Sequence, residues 1–270
     1  MKRYIHLYFV YIKRAIQARL EYKKDALIGI TSFLVNNACS LFSLMVIIKS
    51  INALDGWDMY SLGFLYGMVM LVKSVDHFFT DALWFIGYWY IPRGQLDKHL
   101  IRPVNPLFQV IAETIQFEAL GETILGLALT IFCGLKINII WNFEKVLLLI
   151  ICLTFGSAII TGLKLITSSI ALWTKRSGQV MSGVYNFSDY AKYPLSIYNK
   201  ATPIKYMLLF IIPFGLIMTL PTQYIIFGFC DIFPNVYILI VTICAMSLLF
   251  NFIGVKLFNV GLYCYESSGN

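Results

Sequence analysis

Lys73, Asp76, His77 and Thr80 fall three and four residues apart, so on a helix they share one stripe, with Asp81 adjacent. Further along, Glu118 and Glu122 are neighbours four apart, Glu113 precedes them, and Lys164 stands in a different apolar stretch. These groups sit in runs of residues that are otherwise hydrophobic. In a bilayer each would cost about 2.5 to 3.5 kcal/mol at the centre of a span, so such groups turn toward protein or water. Two chemistries fit the pattern. The residues could form a polar lining for a translocation route or a seam between subunits. Alternatively Lys73 with Asp76, and Lys164 with one of the glutamates, form ion pairs that fix helix packing. His77 and Asp81 at i and i+4 offer two metal ligands where a site needs a third, so no metal site is expected. No catalytic set is expected either, since His6, His77 and His99 lie in separate segments without convergent nucleophiles.

The elements that hold these residues must be membrane helices. Of 270 residues, 59% are hydrophobic and 13% charged, whereas soluble domains carry about 25% charged residues. A spanning helix needs about 20 mainly apolar residues. Such runs occur near Ala26 to Ile48, Tyr60 to Phe85, Leu107 to Leu135, Val146 to Trp173 and Val236 to Phe258. Between Ser177 and Phe229 the sequence leaves two readings open. Either Ile204 to Leu220 is the fifth span, or Ser177 to Tyr193 is, with the remainder, broken by Pro203, Pro213 and Pro221, forming a re-entrant outer hairpin. Both give an all-α, polytopic protein of six crossings. Ahead of them, Ile5, Phe9, Ile12, Ile16 and Leu20 recur at helical spacing among basic residues, which predicts an interfacial amphipathic helix over residues 1–24. A membrane domain then covers 25–260 and a cytoplasmic tail 261–270.

Lys and Arg are retained on the cytoplasmic side. They concentrate in the N-terminal segment, at Arg93, Lys98 and Arg102, and at Lys175 and Arg176, which places both termini in the cytoplasm. Trp57, Trp84, Trp89, Trp141 and Trp173 fall at or near span ends, as interfacial rings do. The net charge of +7 has no compact basic domain to carry it, so anionic lipid headgroups rather than nucleic acid are the expected partner. The six cysteines form no CxxC pair and read as small buried hydrophobes. Gly63 and Gly67 make a GxxxG, a place for close helix approach within the subunit or between two of them.

The most distinctive segment is Tyr90 to Pro106, polar, basic and punctuated by Pro92, Gly94, Pro103 and Pro106. It isolates a short helix around Gln95 to Ile101. Gly94, Leu96, Asp97, Leu100, Arg102, Pro103, Asn105 and Pro106 reproduce a Gly-x-Leu-Asp-x-x-Leu-x-Arg-Pro-x-Asn-Pro pattern. In this the chain resembles the permeases of ABC-2 type transporters, and Ala191 to Tyr198 and Ile212 to Phe214 resemble the same family's pattern before its last span.

The resemblance implies an N-terminal elbow helix, a coupling helix between the second and third spans, and a re-entrant hairpin before the last span. It implies two copies of a separate ABC ATP-binding subunit and a second permease, identical or related. The chain has no GxxxxGK[ST] loop, so ATP and Mg are expected on the partner and no cofactor on this chain. The function implied is the membrane subunit of an ATP-driven exporter in the plasma membrane, of bacterial origin. The alternatives are a stand-alone carrier or channel and, further off, an intramembrane enzyme.

Overall fold

The computed structural model describes residues 2–51 and 56–267. Most of those residues are helical, with no strand among them. Helix α1 covers Lys2–Glu21. Its apolar stripe stays uncovered by the rest of the chain, with Ile5, Phe9, Ile16 and Leu20 exposed. Helix α2 (Lys23–Ile51) follows almost without a break.

Helix α3 (Met59–Thr80) starts where the Asp58 side chain accepts a hydrogen bond from Ser61 N at 2.8 Å. It is the central element, with 78% of its spanning window buried. A turn at Asp81 leads into Leu83–Phe85 and a π-helical turn, Ile86–Tyr90. The connecting segment contains α4 (Asp97–Leu100) and passes into α5 (Pro106–Glu113), whose first turn is closed by Asn105 Oδ1 accepting from Phe108 N.

The third span differs from the sequence reading. Leu107 to Leu135 was expected to be continuous, but Thr114 is extended at φ −131°, ψ 119°, and the long helix α6 is Ala119–Ile137. Thr114 and Ile115 are β-branched, which favours extended backbone. The interruption keeps its hydrogen bonding, because Gln116 N donates to Phe78 O at 3.2 Å.

Helix α7 runs over Phe143–Thr174, with a π turn at Cys152–Gly156, and stops at Lys175 in the left-handed region. Helix α8 (Gly178–Asn186) continues as 3-10 turns over Phe187–Lys192. Helices α9 (Thr202–Ile211) and α10 (Gly215–Phe227) meet at a 78° bend, where Pro213 cannot donate to the preceding turn. Helix α11 (Val236–Cys264) closes the fold. It stays helical beyond 260, so the segment expected as tail from residue 261 leaves the helix only after Cys264.

Among the described residues, five helices, α2, α3, α6, α7 and α11, are long and apolar enough to cross a membrane, six if the bent pair counts as one. The packing bears on the ambiguous region. Residue Gly178 lies beside the extension that follows α3, where Tyr88 Oη donates to its carbonyl at 2.8 Å. Pro194, Leu195 and Ser196 share a cavity of about 230 Å³ with Trp57, Gln223 and Phe227, beyond the opposite end of α3. The stretch from Gly178 to Pro194 therefore traverses the whole length of α3. Ile204 to Leu220, the other sequence reading, is not one straight helix, since a 78° bend breaks it, as in a broken span or a re-entrant loop. The bend instead folds Phe214 back against Tyr185, ring centroids 6.3 Å apart.

Close helix contacts rest on glycine. A Cβ on Gly67 would stand 2.5 Å from Thr130 Oγ1 and 3.0 Å from its backbone nitrogen, and one on Gly63 would stand 2.7 Å from Cys133 Sγ. The GxxxG is thus used within the subunit, between α3 and α6. One apolar cluster, with Phe64, Met68, Ile217 and Leu239, fills the body of the bundle. A second, with Leu83, Ile86, Leu96, Val110, Leu172 and Phe258, lies under the Tyr90 to Pro106 segment.

Candidate functional site

The segment from Tyr90 to Pro106 is a short, stiff protrusion rather than a loose loop. Gly94 supplies the positive φ of +64° that turns the chain. Leu96 is fully buried in the second apolar cluster, between the ends of α3, α7 and α11. The single turn of α4 is narrower than the expected Gln95 to Ile101. Its Asp97 accepts from Tyr265 Oη at 3.0 Å and from Ser267 Oγ at 2.5 Å, so the residues after α11 are tied to it. Burial, helped by that hydrogen bond, pushes the Tyr265 phenol up to about 12.

His99 is buried beneath the turn, its ring 5.2 Å from that of Tyr90. Glu113 Oε2 lies 3.3 Å from His99 Nε2 without hydrogen-bond alignment. Burial pushes the imidazole below its ordinary range, outweighing the pull of Glu113, and keeps it neutral at pH 7. Gln109 Nε2 donates to the carbonyls of His99 and Val104 at 2.9 and 2.7 Å, fastening the far side.

The eight residues predicted to couple therefore divide. Gly94, Leu96, Asp97, Asn105 and Pro106 build and anchor the protrusion. Leu100, Arg102 and Pro103 are exposed. Ile101, which the pattern passed over as a variable position, is 83% exposed at the apex.

The charges inside the bundle also separate into two groups. Lys164 on α7 reaches Asp76 Oδ2 on α3 at 2.6 Å and Asp81 Oδ1 in the turn after α3 at 2.9 Å. Thr80 and Thr161 donate to Asp76 Oδ1 at 2.7 and 3.2 Å. Lys164 and Asp76 are both fully enclosed, so this cluster fixes helix packing. The expected pairs are corrected here: Lys164 takes aspartates rather than a glutamate, and Lys73 takes Asp189 at 3.8 Å rather than Asp76. Lys164 on the neighbouring helix occupies the side of α3 toward which Asp76 points.

The second group surrounds a polar cavity. His77 Nδ1 meets Glu122 Oε2 at 2.7 Å, and His77 Nε2 meets Tyr185 Oη at 2.5 Å. Lys192 pairs with Asp189 at 2.7 Å. His77 and Asp81 thus turn to different partners and do not share a point. Glu118 packs over Gly29 of α2, and Glu113 belongs to the protrusion, with Lys98 and His99. Sequence reading missed Tyr185, and it noted Asp189 and Lys192 only as polar oddities of their stretch. A polar run beside a bilayer-length helix was the available signal.

A family model described as ABC-2 family transporter protein matches residues 34–269. The chain belongs to that family. No curated protein and no solved structure matches the chain. Membership makes it a multi-pass membrane permease of an ABC-type transporter, a transport component that normally works with an ATP-binding subunit.

Proposed function

We propose that this ABC-2 permease is the membrane subunit of an ATP-driven exporter in a bacterial plasma membrane, with both termini in the cytoplasm. Two copies of an ABC ATP-binding subunit, carrying ATP and Mg, dock on the protrusion of this permease and of a second, identical or related one. Six crossings are proposed, the fifth being Gly178–Lys192, with α9 and α10 as a re-entrant hairpin on the outer side.

The observation that carries this reading is the apex made by Leu100, Ile101, Arg102 and Pro103. It presents exposed apolar and cationic side chains on a base that cannot give way, because Leu96 and Gln109 lock it to α3, α5, α7 and α11. A large apolar residue left 83% exposed on a rigid apex is what a partner covers. Force applied there passes into the bundle through packed side chains rather than through a hinge.

The test is affinity purification of the tagged chain from its native membranes, with ATPase activity measured on the product. Wild type should bring down an ATPase, and Ile101→Glu should lose it while the chain still inserts and melts normally. An ATPase retained by Ile101→Glu together with Leu100→Glu would overturn the docking site.

A further inference from the structure

The cavity beyond the N-terminal end of α3 encloses about 230 Å³ and is walled by three segments distant in sequence. Gly56, at φ +82°, turns the chain toward α3 and sets Trp57 in one wall. Gly228, at φ +78°, ends α10 and brings Phe229 and Asp231 back past Gln223. The third wall includes the 3-10 turn Leu195–Asn199, which contributes Ser196.

Of the five tryptophans Trp57 alone is buried, at 4% exposed, whereas interfacial rings stay open to headgroups. It meets Phe227 edge to face, ring centroids 5.1 Å apart, and Phe229 follows Phe227 at 6.1 Å. These rings form an aromatic wall rather than a membrane anchor. The cavity's one charged group is Asp231. Its Oδ2 accepts from Gln223 Nε2 at 2.8 Å, and its Oδ1 takes no bond among the described residues. No Lys, Arg or His lines the cavity. The Ser196 hydroxyl is buried in the wall, also without a partner among the described residues.

A carboxylate, a free hydroxyl oxygen and the negative faces of aromatic rings all favour the same visitor, a cation. A metal ion such as Ca²⁺ wants about six to eight oxygen ligands and would leave the rings unused. An organic ammonium uses both kinds of wall. The space is below the roughly 300–1,000 Å³ of sites for whole drug-sized ligands, which suits an ammonium head.

We propose that this cavity binds a protonated amine, with Asp231 Oδ1 as principal acceptor, Ser196 Oγ as a second, and Trp57, Phe227 and Phe229 around the adjoining carbon. In the six-crossing topology proposed above the cavity opens on the outer face. Binding itself does not depend on that reading.

The test uses the purified full-length chain in dodecyl maltoside at neutral pH and fixed ionic strength. Thermal unfolding is followed with hexylammonium or dodecylammonium, and with hexanol, laurate or calcium chloride as comparisons. An ammonium compound should raise Tm and the comparisons should not. Hexylammonium acting, with or without the longer chain, assigns a small free amine, and dodecylammonium acting alone assigns the head of an amphiphile. Asp231→Asn keeps the shape and the Gln223 contact, and should weaken amine binding by roughly tenfold or more, the loss expected for a charge-assisted hydrogen bond. Amine binding unchanged in Asp231→Asn overturns the proposal. So do equal shifts from hexanol or laurate, which would make the cavity an apolar groove, and a calcium shift that Asp231→Asn abolishes, which would make it a metal site. If Asp231→Asn does not fold, Phe229→Ala takes its place, at a ring 56% exposed, and unchanged amine binding there overturns the proposal equally.

Discussion

Lys164 Nζ lies 2.6 Å from Asp76 Oδ2, a contact between two residues 88 positions apart that are both shut off from solvent. Breaking a buried pair leaves an unpaired charge behind, which typically costs about 3–5 kcal/mol. Lys164→Met should therefore lower the Tm of the purified permease sharply, and Lys164→Met combined with Asp76→Asn should recover much of the loss. Thermal unfolding of the three proteins in detergent checks this. A single mutant as stable as wild type would show that the pair does not hold α3 to α7.

The α3 to α6 contact depends on how rigid the opposing atoms are. At Gly63 an added methyl meets the Cys133 thiol, which can rotate away, whereas at Gly67 it also meets the Thr130 backbone nitrogen, which cannot. Gly67→Ala should cost about 1–3 kcal/mol as overpacking and Gly63→Ala distinctly less. The reverse order in unfolding measurements would sink this account of the helix seam.

The residues after α11 are fastened to the Tyr90 to Pro106 segment through Tyr265 and Asp97. Tyr265→Phe keeps the ring and removes the donor, a change of about 1.5–3 kcal/mol for a bond to a charged acceptor. Limited proteolysis should then cut the residues beyond Cys264 faster, with the rest of the chain unchanged. Equal cutting rates in the two proteins would show that the bond does not restrain the tail.

Acid should loosen the protrusion from within. His99 is held below its ordinary value of 6.5 by burial, and the charged groups around it are Glu113, Lys98 and Arg102. An unfolded segment takes up the proton as pH falls through about 6.5, whereas the folded one resists it until lower pH. Stability present at pH 7.5 is therefore lost progressively below 6.5. Hydrogen exchange in residues 97–113, corrected for its intrinsic pH dependence, should rise between pH 7.5 and 5.5 in wild type and much less in His99→Gln. A pH-independent wild type would refute the neutral, buried histidine.

By itself the sequence determined the solvent. An apolar fraction of 59% with runs of bilayer length permits no other home, and the pattern from Gly94 to Pro106 was dense enough to mark the segment between the second and third spans. Local chemistry also marked the break at Pro213, because proline geometry acts within a few residues. Tertiary structure decided what depends on distant partners. Helical spacing puts Lys73, Asp76 and His77 on one stripe but cannot say that α7 brings Lys164 to Asp76, that α6 brings Glu122 to His77, or that the stretch after α8 brings Asp189 to Lys73. It also could not tell that Leu96 points inward while Ile101 points out, since a one-turn helix has no periodicity to read. Charge pairing and burial are set by whichever helix packs alongside, and that neighbour lies far along the chain, 45 residues away for His77 and Glu122.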